Sequence, residues 1–512
     1  MGWALCPSSA ALAQPADVAK TNPLPVYMHY MPWFETPDTL GAGNWGYHWT
    51  LNNQNPNVIL PNGQRQIASH FYPLAGAYDS RDPDVIEYHL LLMKYAGIDG
   101  VLIDWYGVQG SNGDIPTLLS GSNAVIDQTD DFGLDFAVVL EDRFTQNVGQ
   151  GQANVGYLRD NYFNNPQYIR DDTTGDPLLL NFGPITFETP NEWTQVLAAA
   201  GEDVDFLTLP FQSAEAGANA DGEYKWVFEN EALDDHLQQQ IDFYTGRAPV
   251  LNQQGGVVGG SAYPGFVDFY VEGGVGDVVG FEIPHNNGDT LADTLALADL
   301  YANQMDFLQL VTWNDFGEGT VFEPTVETGF DYLVQLQQFT GVAYTQDELE
   351  LIYAIFQARK DQAGDVFVQA GLDAAVIALS ELRVADATST LIAFGVVTPL
   401  LPGDANNDNS VDLLDFDVLA VGFGLGPAAF GGASIGDFNG DGSVNLLDFD
   451  ILAVNFGTTA PATVPEPASW LALAAAPWLA GRNRGRRRRG LTPLGSEYSF
   501  SALVSNGPKS TY

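Results

Sequence analysis

Cysteine is almost missing from this chain of 512 residues, which has one, Cys6. A lone thiol excludes a disulfide framework. Positive charge is also scarce: 19 Lys and Arg stand against 65 Asp and Glu, for a net charge of −46. Six of those 19 basic residues crowd into Arg482–Arg489, so the rest of the chain is more acidic still. Such a body repels nucleic acid and anionic membranes. It suits a neutral polymer or cations such as calcium, although acidity alone also serves solubility in a salty medium. No run of 18 apolar residues occurs, which excludes an ordinary membrane-spanning helix. No phosphate loop is present either. Gly255–Gly260 is glycine-rich but lacks the lysine and the dinucleotide spacing, so no organic cofactor is expected for catalysis.

Aromatic residues are plentiful, with 10 Trp, 21 Tyr and 30 Phe. They serve either a large core or a sugar-binding cleft, because flat rings stack on the apolar faces of pyranoses, and composition alone favours the core. The charged fraction of 16% and apolar fraction of 45% are those of a globular protein. The length accommodates two to four domains.

From Pro25 to about Gly341, short apolar runs alternate with longer amphipathic ones. Val26–Met31, Val101–Tyr106, Phe136–Leu140, Leu178–Phe182, Phe206–Leu209 and Leu308–Thr312 read as buried strands. Lys225–Phe228 and Gly260–Phe266 are weaker candidates for two more. Asp84–Tyr95 reads as a helix, with Val85, Tyr88, His89 and Leu92 at helical spacing and Gly97 as a stop. Repeated strand–helix units imply a parallel sheet. Eight strands in about 320 residues fit an α/β fold of the (β/α)₈ TIM-barrel type over residues 25–341. Residues 342–400 read as a helical extension. Thr345–Glu348 forms a capping box, and Leu349, Ile352, Tyr353 and Phe356 follow at helical spacing.

Residues 401–457 contain two similar loops, the second starting at Asp437, 33 residues after Asp404. The first presents Asp404, Asn406, Asp408, Ser410, Asp412 and Asp415; the second presents Asp437, Asn439, Asp441, Ser443, Asn445 and Asp448. Oxygen ligands at positions 1, 3, 5, 9 and 12, with the carbonyl at position 7, suit Ca²⁺, one ion per loop. Gly442 permits the turn at position 6, and Asn409 tolerates the same conformation. The pair resembles a type I dockerin, down to Asp at position 12. The resemblance implies a small all-α calcium-binding module that docks to a cohesin-like protein.

At the two ends the reading concerns export. Ala11-Leu12-Ala13 is a small-x-small pattern that signal peptidase favours, so residues 1–13 read as the remnant of a signal peptide. In residues 458–490, Val464-Pro465-Glu466-Pro467 precedes an apolar stretch, Ala468–Ala480, and then the arginine cluster. That order resembles a PEP-CTERM sorting signal. It implies export, exosortase-type processing and a secreted or cell-surface location with membrane association. Residues 491–512 continue as a tail past the point where such signals stop.

Hydrolysis of a glycoside needs two carboxyl groups, one to give a proton and one to act as base or nucleophile. The segment Val311-Thr312-Trp313-Asn314-Asp315-Phe316-Gly317-Glu318-Gly319-Thr320 offers such a pair. Asp315 falls at a strand end and Glu318 on the next loop, with Gly317 and Gly319 free to bend the backbone. Bulky Trp313 and Phe316 exclude water and raise a carboxyl pKa. An acidic strand–loop junction without chemistry is the competing reading in so acidic a chain.

The segment resembles the Trp-Asn-Glu/Asp-x-x-Glu signature of glycoside hydrolase families 71 and 99. Other pieces agree in order: Tyr30-Met31-Pro32-Trp33-Phe34, Trp45 with His48-Trp49, Tyr78-Asp79-Ser80-Arg81-Asp82, Asp104-Trp105-Tyr106-Gly107, and Leu140-Glu141-Asp142-Arg143. The resemblance implies an endo-acting hydrolase of α-linked glycans, α-mannan or α-glucan. It makes Glu318 the general acid/base and Asp315 the second catalytic carboxylate. Tyr30, Trp33, His48, Trp105, Tyr106, Glu141, Trp313 and Asn314 would line the sugar subsites. In family 99 the second carboxylate is usually Glu and acts on the sugar's own 2-hydroxyl. The shorter Asp315 is closer to family 71 and opens α-1,3-glucanase action. A non-catalytic carbohydrate-binding or scaffolding barrel is the alternative, and a glycosyltransferase a third reading. His29 and His89 read as structural.

Overall fold

The computed structural model describes residues 14–171, 173–227, 235–397, 401–406, 410–424, 436–438 and 443–459. Eight parallel strands close into a barrel in chain order: β1 (Val26–Tyr30), β2 (Gly100–Trp105), β3 (Asp135–Leu140), β4 (Leu178–Asn181), β5 (Asp205–Thr208), β6 (Gly222–Tyr224), β7 (Val257–Ala262) and β8 (Phe307–Leu310). Pairing of Val26 with Leu308 and Met28 with Leu310 closes the ring. All six firm strand expectations fall on strands.

The two weaker ones are shifted. Of Lys225–Phe228, residues 225–227 lie just beyond β6, where Trp226 and Val227 join a small cluster with Tyr263 and Phe266, and Phe228 lies outside the described residues. Gly260–Phe266 catches only the end of β7, because Gly259 and Gly260 interrupt the strand with residues that local propensity disfavours. Space explains them. A Cβ at Gly259 would sit 2.6 Å from the Phe307 ring, and one at Gly260 2.5 Å from the Met305 sulfur.

A repeated device finishes the lower rim. Asp99, at the mouth of β2, accepts the Val26 N–H of β1 at 2.7 Å. Asp221, before β6, accepts Phe206 N–H of β5 at 3.0 Å, and Asp306, before β8, accepts Val258 N–H of β7 at 2.7 Å. Each carboxylate thus satisfies an amide in the first or second residue of a strand.

The helix Pro83–Tyr95 matches the periodicity, with Val85, Tyr88, His89 and Leu92 all buried and the Asp82 side chain capping Asp84 N–H. The stretch after Thr345 is two helices, Gln346–Asp361 and Val366–Ser380, followed by Val384–Ala393. The Thr345–Glu348 capping box is present. This extension is no separate unit. Leu349, Ile352, Leu372 and Leu379 belong to the barrel's own core, and Arg359 pairs with Glu87 of the helix Pro83–Tyr95 at 2.9 Å.

Residues 401–459 have their own small core of Val411, Leu419, Val444 and Leu452. Its helices, Leu413–Gly422 and Leu446–Asn455, each start in a capping box, Asp412 with Asp415 and Asn445 with Asp448. Among the described residues no helix is long and apolar enough to cross a membrane. The signal-like residues 1–13 and the sorting-signal residues 460–512 lie outside the described residues.

Candidate active site

At the C-terminal end of β8 the chain leaves the sheet and folds back on itself. Thr312 N–H donates to Thr320 O at 2.7 Å, and Glu323 N–H donates to Trp313 O at 2.9 Å. At the apex, Asp315 Oδ1 accepts the Glu318 N–H at 2.9 Å, and Asp315 O accepts the Gly319 N–H at 2.9 Å. The turn therefore places both acids on one loop. Only one of its glycines uses glycine's freedom: Gly319 has φ +67°, and a Cβ there would strike Val267 O at 2.5 Å. Gly317 has no such φ.

A long excursion after β7 supports the loop. Val267 N–H donates to Glu318 O at 2.9 Å, and Phe269 N–H donates to Gly317 O at 2.8 Å. Tyr270 donates its hydroxyl to Glu318 Oε1 at 3.1 Å. From the other side, His285 Nε2 lies 2.8 Å from Gly319 O and Nδ1 lies 2.7 Å from the Tyr332 hydroxyl. Burial holds His285 down to about 4, so it is neutral here and fixes the backbone beside Glu318.

The two acids differ in proton affinity. Burial pushes Asp315 up to about 6, opposed by the N–H groups of Glu318 and Gly317. Glu318 is pushed well above the ordinary carboxyl value, first by burial and then by the charge of Asp315, with Tyr270 and Arg143 pulling it back. Glu318 therefore holds its proton more tightly, and Asp315 ionises first. Asp315 is sealed except for 4% of its surface, whereas Glu318 is half-buried.

Further acids and rings stand at neighbouring strand ends and loops. Glu141, at the end of β3, is pushed up to about 7 by burial, against the pull of Arg143, whose Nε lies 2.7 Å from Glu141 Oε2. Asp104, at the end of β2, is 2% exposed, and its Oδ2 has no hydrogen-bond partner. Burial and the charge of Glu141 raise it well above the usual carboxyl range. Trp33 and His48 stack face to face, centroids 3.9 Å apart and planes 7° apart. Burial lowers His48 to about 3, leaving a neutral ring. Tyr106 packs on Phe144 at 4.2 Å.

Four expected sugar-lining residues are instead beneath the site. Trp105 is fully buried and stacks on Tyr157 of the helix Val148–Asn161, because strand alternation sends it outward when Asp104 turns inward. Trp313 is fully buried against His89 at 5.2 Å. Tyr30 has its hydroxyl 3.0 Å from His89 Nδ1. Asn314 stitches β1 to the acid loop, accepting Met31 N–H at 2.8 Å and donating to Met31 O at 3.0 Å and to the Tyr78 hydroxyl at 3.0 Å. Glu323 completes this sealed network, accepting the Tyr78 hydroxyl at 2.7 Å with His89 Nε2 at 3.3 Å. His29 and His89 are structural as expected; His29 is buried beside Gln309.

Sequence reasoning assigned no role to Asp104, Arg143 or Tyr270. Asp104 carried a signal, being the one charge inside an otherwise apolar strand. Tyr270 carried none, since its excursion has no period.

Part of the chain is similar to known glycoside hydrolases. The profile of Glycosyl hydrolase family 99 matches residues 23–233, which cover β1 to β6 and stop short of the acid loop. The glycoprotein endo-alpha-1,2-mannosidase of Mus musculus is 30% identical over 211 residues, covering 37% of this chain and 44% of that protein. The Rattus norvegicus enzyme of the same name is 29% identical over 204 residues, with 37% and 43% covered. The chain thus spans less than half the length of these curated relatives. The solved GH99 endo-alpha-mannosidase from Bacteroides thetaiotaomicron is 20% identical, covers 64% of this chain and 98% of its own, and superposes with a TM-score of 0.48.

Proposed function

We propose that this protein is an endo-acting glycoside hydrolase of an α-mannan-type glycan. The observation that carries the reading is the turn joining Asp315 to Glu318, which puts a protonated carboxyl beside an ionised one at the rim of a parallel barrel. Glu318 donates its proton to the leaving glycosidic oxygen, so the departing sugar leaves as an alcohol. Asp315 takes a proton from the group that attacks the anomeric carbon, either water or the sugar's own 2-hydroxyl. Where the 2-hydroxyl attacks, a 1,2-anhydro sugar forms; Glu318 regains its proton from the water that opens it at the anomeric carbon, and Asp315 returns its proton to the 2-oxygen. Where water attacks directly, Asp315 releases its proton to solvent and Glu318 takes one up. Arg143 and Tyr270 stabilise the Glu318 carboxylate between those steps. The stacked Trp33–His48 pair, Tyr106 and Glu141 line the approach.

The experiment is release of reducing ends from α-mannan and α-1,3-glucan by the protein and by Glu318→Gln. Turnover that vanishes in the variant while binding persists supports the reading; unchanged turnover removes Glu318 from the mechanism. Persistent binding without turnover by the unaltered protein favours a non-catalytic carbohydrate-binding barrel.

The rest of the chain fits a secreted, surface-held enzyme. In the 401–459 module, Asp415 is fully buried and its carboxylate accepts the N–H groups of Ala405, Asn406 and Asp412 at 2.7, 3.1 and 2.7 Å. Asp448 is buried in the same way in the second repeat. Asp404, Asn406, Ser410, Asp412 and Asp415, with Asp437, Ser443, Asn445 and Asp448, would hold two Ca²⁺ ions. Asp408, Asn439 and Asp441 would complete the sets but lie outside the described residues. Among the described residues no three His, Cys, Asp or Glu side chains form a metal cluster, so the fit rests on the repeat and on the buried Asp at position 12. Matching apolar residues are exposed in both repeats, Leu413 with Leu446, Leu414 with Leu447 and Val421 with Val454. That duplicated face suits a cohesin-like partner, and the sequence past residue 460 suits exosortase-type sorting.

A further inference from the structure

The loop after β5 carries the most exposed aromatic ring among the described residues, Phe211, at 67% of its free surface. It leaves the same end of the barrel as the acid loop. Leu209–Gln212 is a tight turn, closed by Gln212 N–H donating to Leu209 O at 3.1 Å. Pro210 is its second residue and Phe211 its third, with φ +63°. After proline, that third position is the place for glycine or asparagine, and a bulky side chain there is an outlier. Such conformations persist where the surroundings enforce them, and they gather at ligand sites.

The surroundings here do enforce it. Phe211 N–H donates to Glu223 Oε2 at 3.0 Å, and Glu223 has no exposed surface. Ser213 Oγ donates to its other oxygen at 2.6 Å, and Arg247 Nε donates to Oε2 at 2.8 Å. A fully buried carboxylate, paired with a partly exposed arginine, therefore grips the amide of a strained residue that is itself exposed. Packing does not explain this, because the ring is mostly uncovered. A glycine would make the turn at less strain.

We propose that Phe211 is a remote sugar-stacking subsite, which holds one pyranose ring of a long neutral α-glycan on the barrel rim while a distant linkage lies between Asp315 and Glu318. The proposal rests on the hydrolase reading above. β5 is three strands from β8 around the ring, and strand spacing is ~4.8 Å before tilt widens it. That distance requires several linked sugars to bridge both points, so a short substrate would not reach. An aromatic face recognises the apolar face of a sugar without charge, and Arg247 neutralises Glu223 beside the turn.

The test compares Phe211→Gly and Phe211→Trp with the unaltered protein on polymeric α-mannan and on an aryl glycoside of a mannose disaccharide. Phe211→Gly should keep or raise Tm, since the left-handed turn is relieved. It should also lose ~3- to 10-fold in kcat/KM on the polymer, the size of one stacking contact, with the disaccharide rate unchanged. Phe211→Trp should retain the polymer rate. Equal polymer rates in Phe211→Gly and the unaltered protein would overturn the subsite. Failure of the hydrolase reading looks different, as no turnover of either substrate by the unaltered protein. The subsite is then decided by the change in tryptophan emission on adding soluble α-mannan oligosaccharides to Phe211→Trp and to the unaltered protein: a change found only or more strongly in the variant supports it, and equal changes overturn it.

Discussion

The Tyr270 hydroxyl donates to Glu318 Oε1 at 3.1 Å across a separation of 48 residues, tying the excursion after β7 to the proposed acid. That bond favours the ionised carboxylate and so opposes the burial that keeps Glu318 protonated. Removing it in Tyr270→Phe should raise the pKa of Glu318 further. The alkaline limb of the kcat/KM profile should then move to higher pH. An unmoved limb alongside reduced activity would make Tyr270 a packing residue only.

Glu318→Gln removes the proton that the leaving group needs. The expected fall in kcat is about 10²- to 10⁴-fold, the usual contribution of general acid catalysis. A substrate with a leaving group that departs without protonation should recover much of the loss, which single-turnover kinetics would show.

Asp104 is buried with Oδ2 unpartnered, and Glu141 and Asp315 both discourage its ionisation. A carboxyl held neutral resembles a carboxamide in shape and charge. Asp104→Asn should therefore keep most activity, while Asp104→Leu should lose it, since only the amide replaces a donor. Equal loss in both variants would mean that the ionised form acts.

On the lower rim, burial and neighbouring acids push Asp135 up to about 6 and Asp205 up to about 7. Their folded pKa values lie above the unfolded ones. Their stabilising contribution is thus full below about pH 4 and lost as pH rises through 6 to 7. Tm should fall between pH 5 and pH 8, and Asp205→Asn should flatten that slope. A steeper slope in the variant would contradict the assignment.

Gly259→Ala inserts a methyl 2.6 Å from the Phe307 ring and 2.7 Å from Tyr224 Cβ. Overpacking of this kind costs about 1–3 kcal/mol, measurable as a lower denaturation midpoint in urea. Separately, a chelator should melt residues 401–459 and leave the barrel transition in place, because the small core of Val411, Leu419, Val444 and Leu452 has little else to hold it. A single unshifted transition would argue against the calcium loops.

The sequence by itself determined the barrel, the helix Pro83–Tyr95, the Thr345 cap and the pairing of Asp315 with Glu318, because each depends on neighbours within a few residues. Apolar runs, helical spacing and a four-residue turn are local properties and show in the chain. What only the tertiary structure decided depends on residues far apart. Whether Gly259 belongs to a strand was set by Phe307, and which aromatic faced the cleft was set by the helix behind β2, which took Trp105 and left Asp104 inside. Asn314 became a stitch to Met31 rather than a sugar ligand, and Tyr270 reached Glu318 from an unpatterned loop. Burial and electrostatic coupling arise only when distant segments meet, so the proton affinities that separate Glu318 from Asp315 belong to the folded molecule alone.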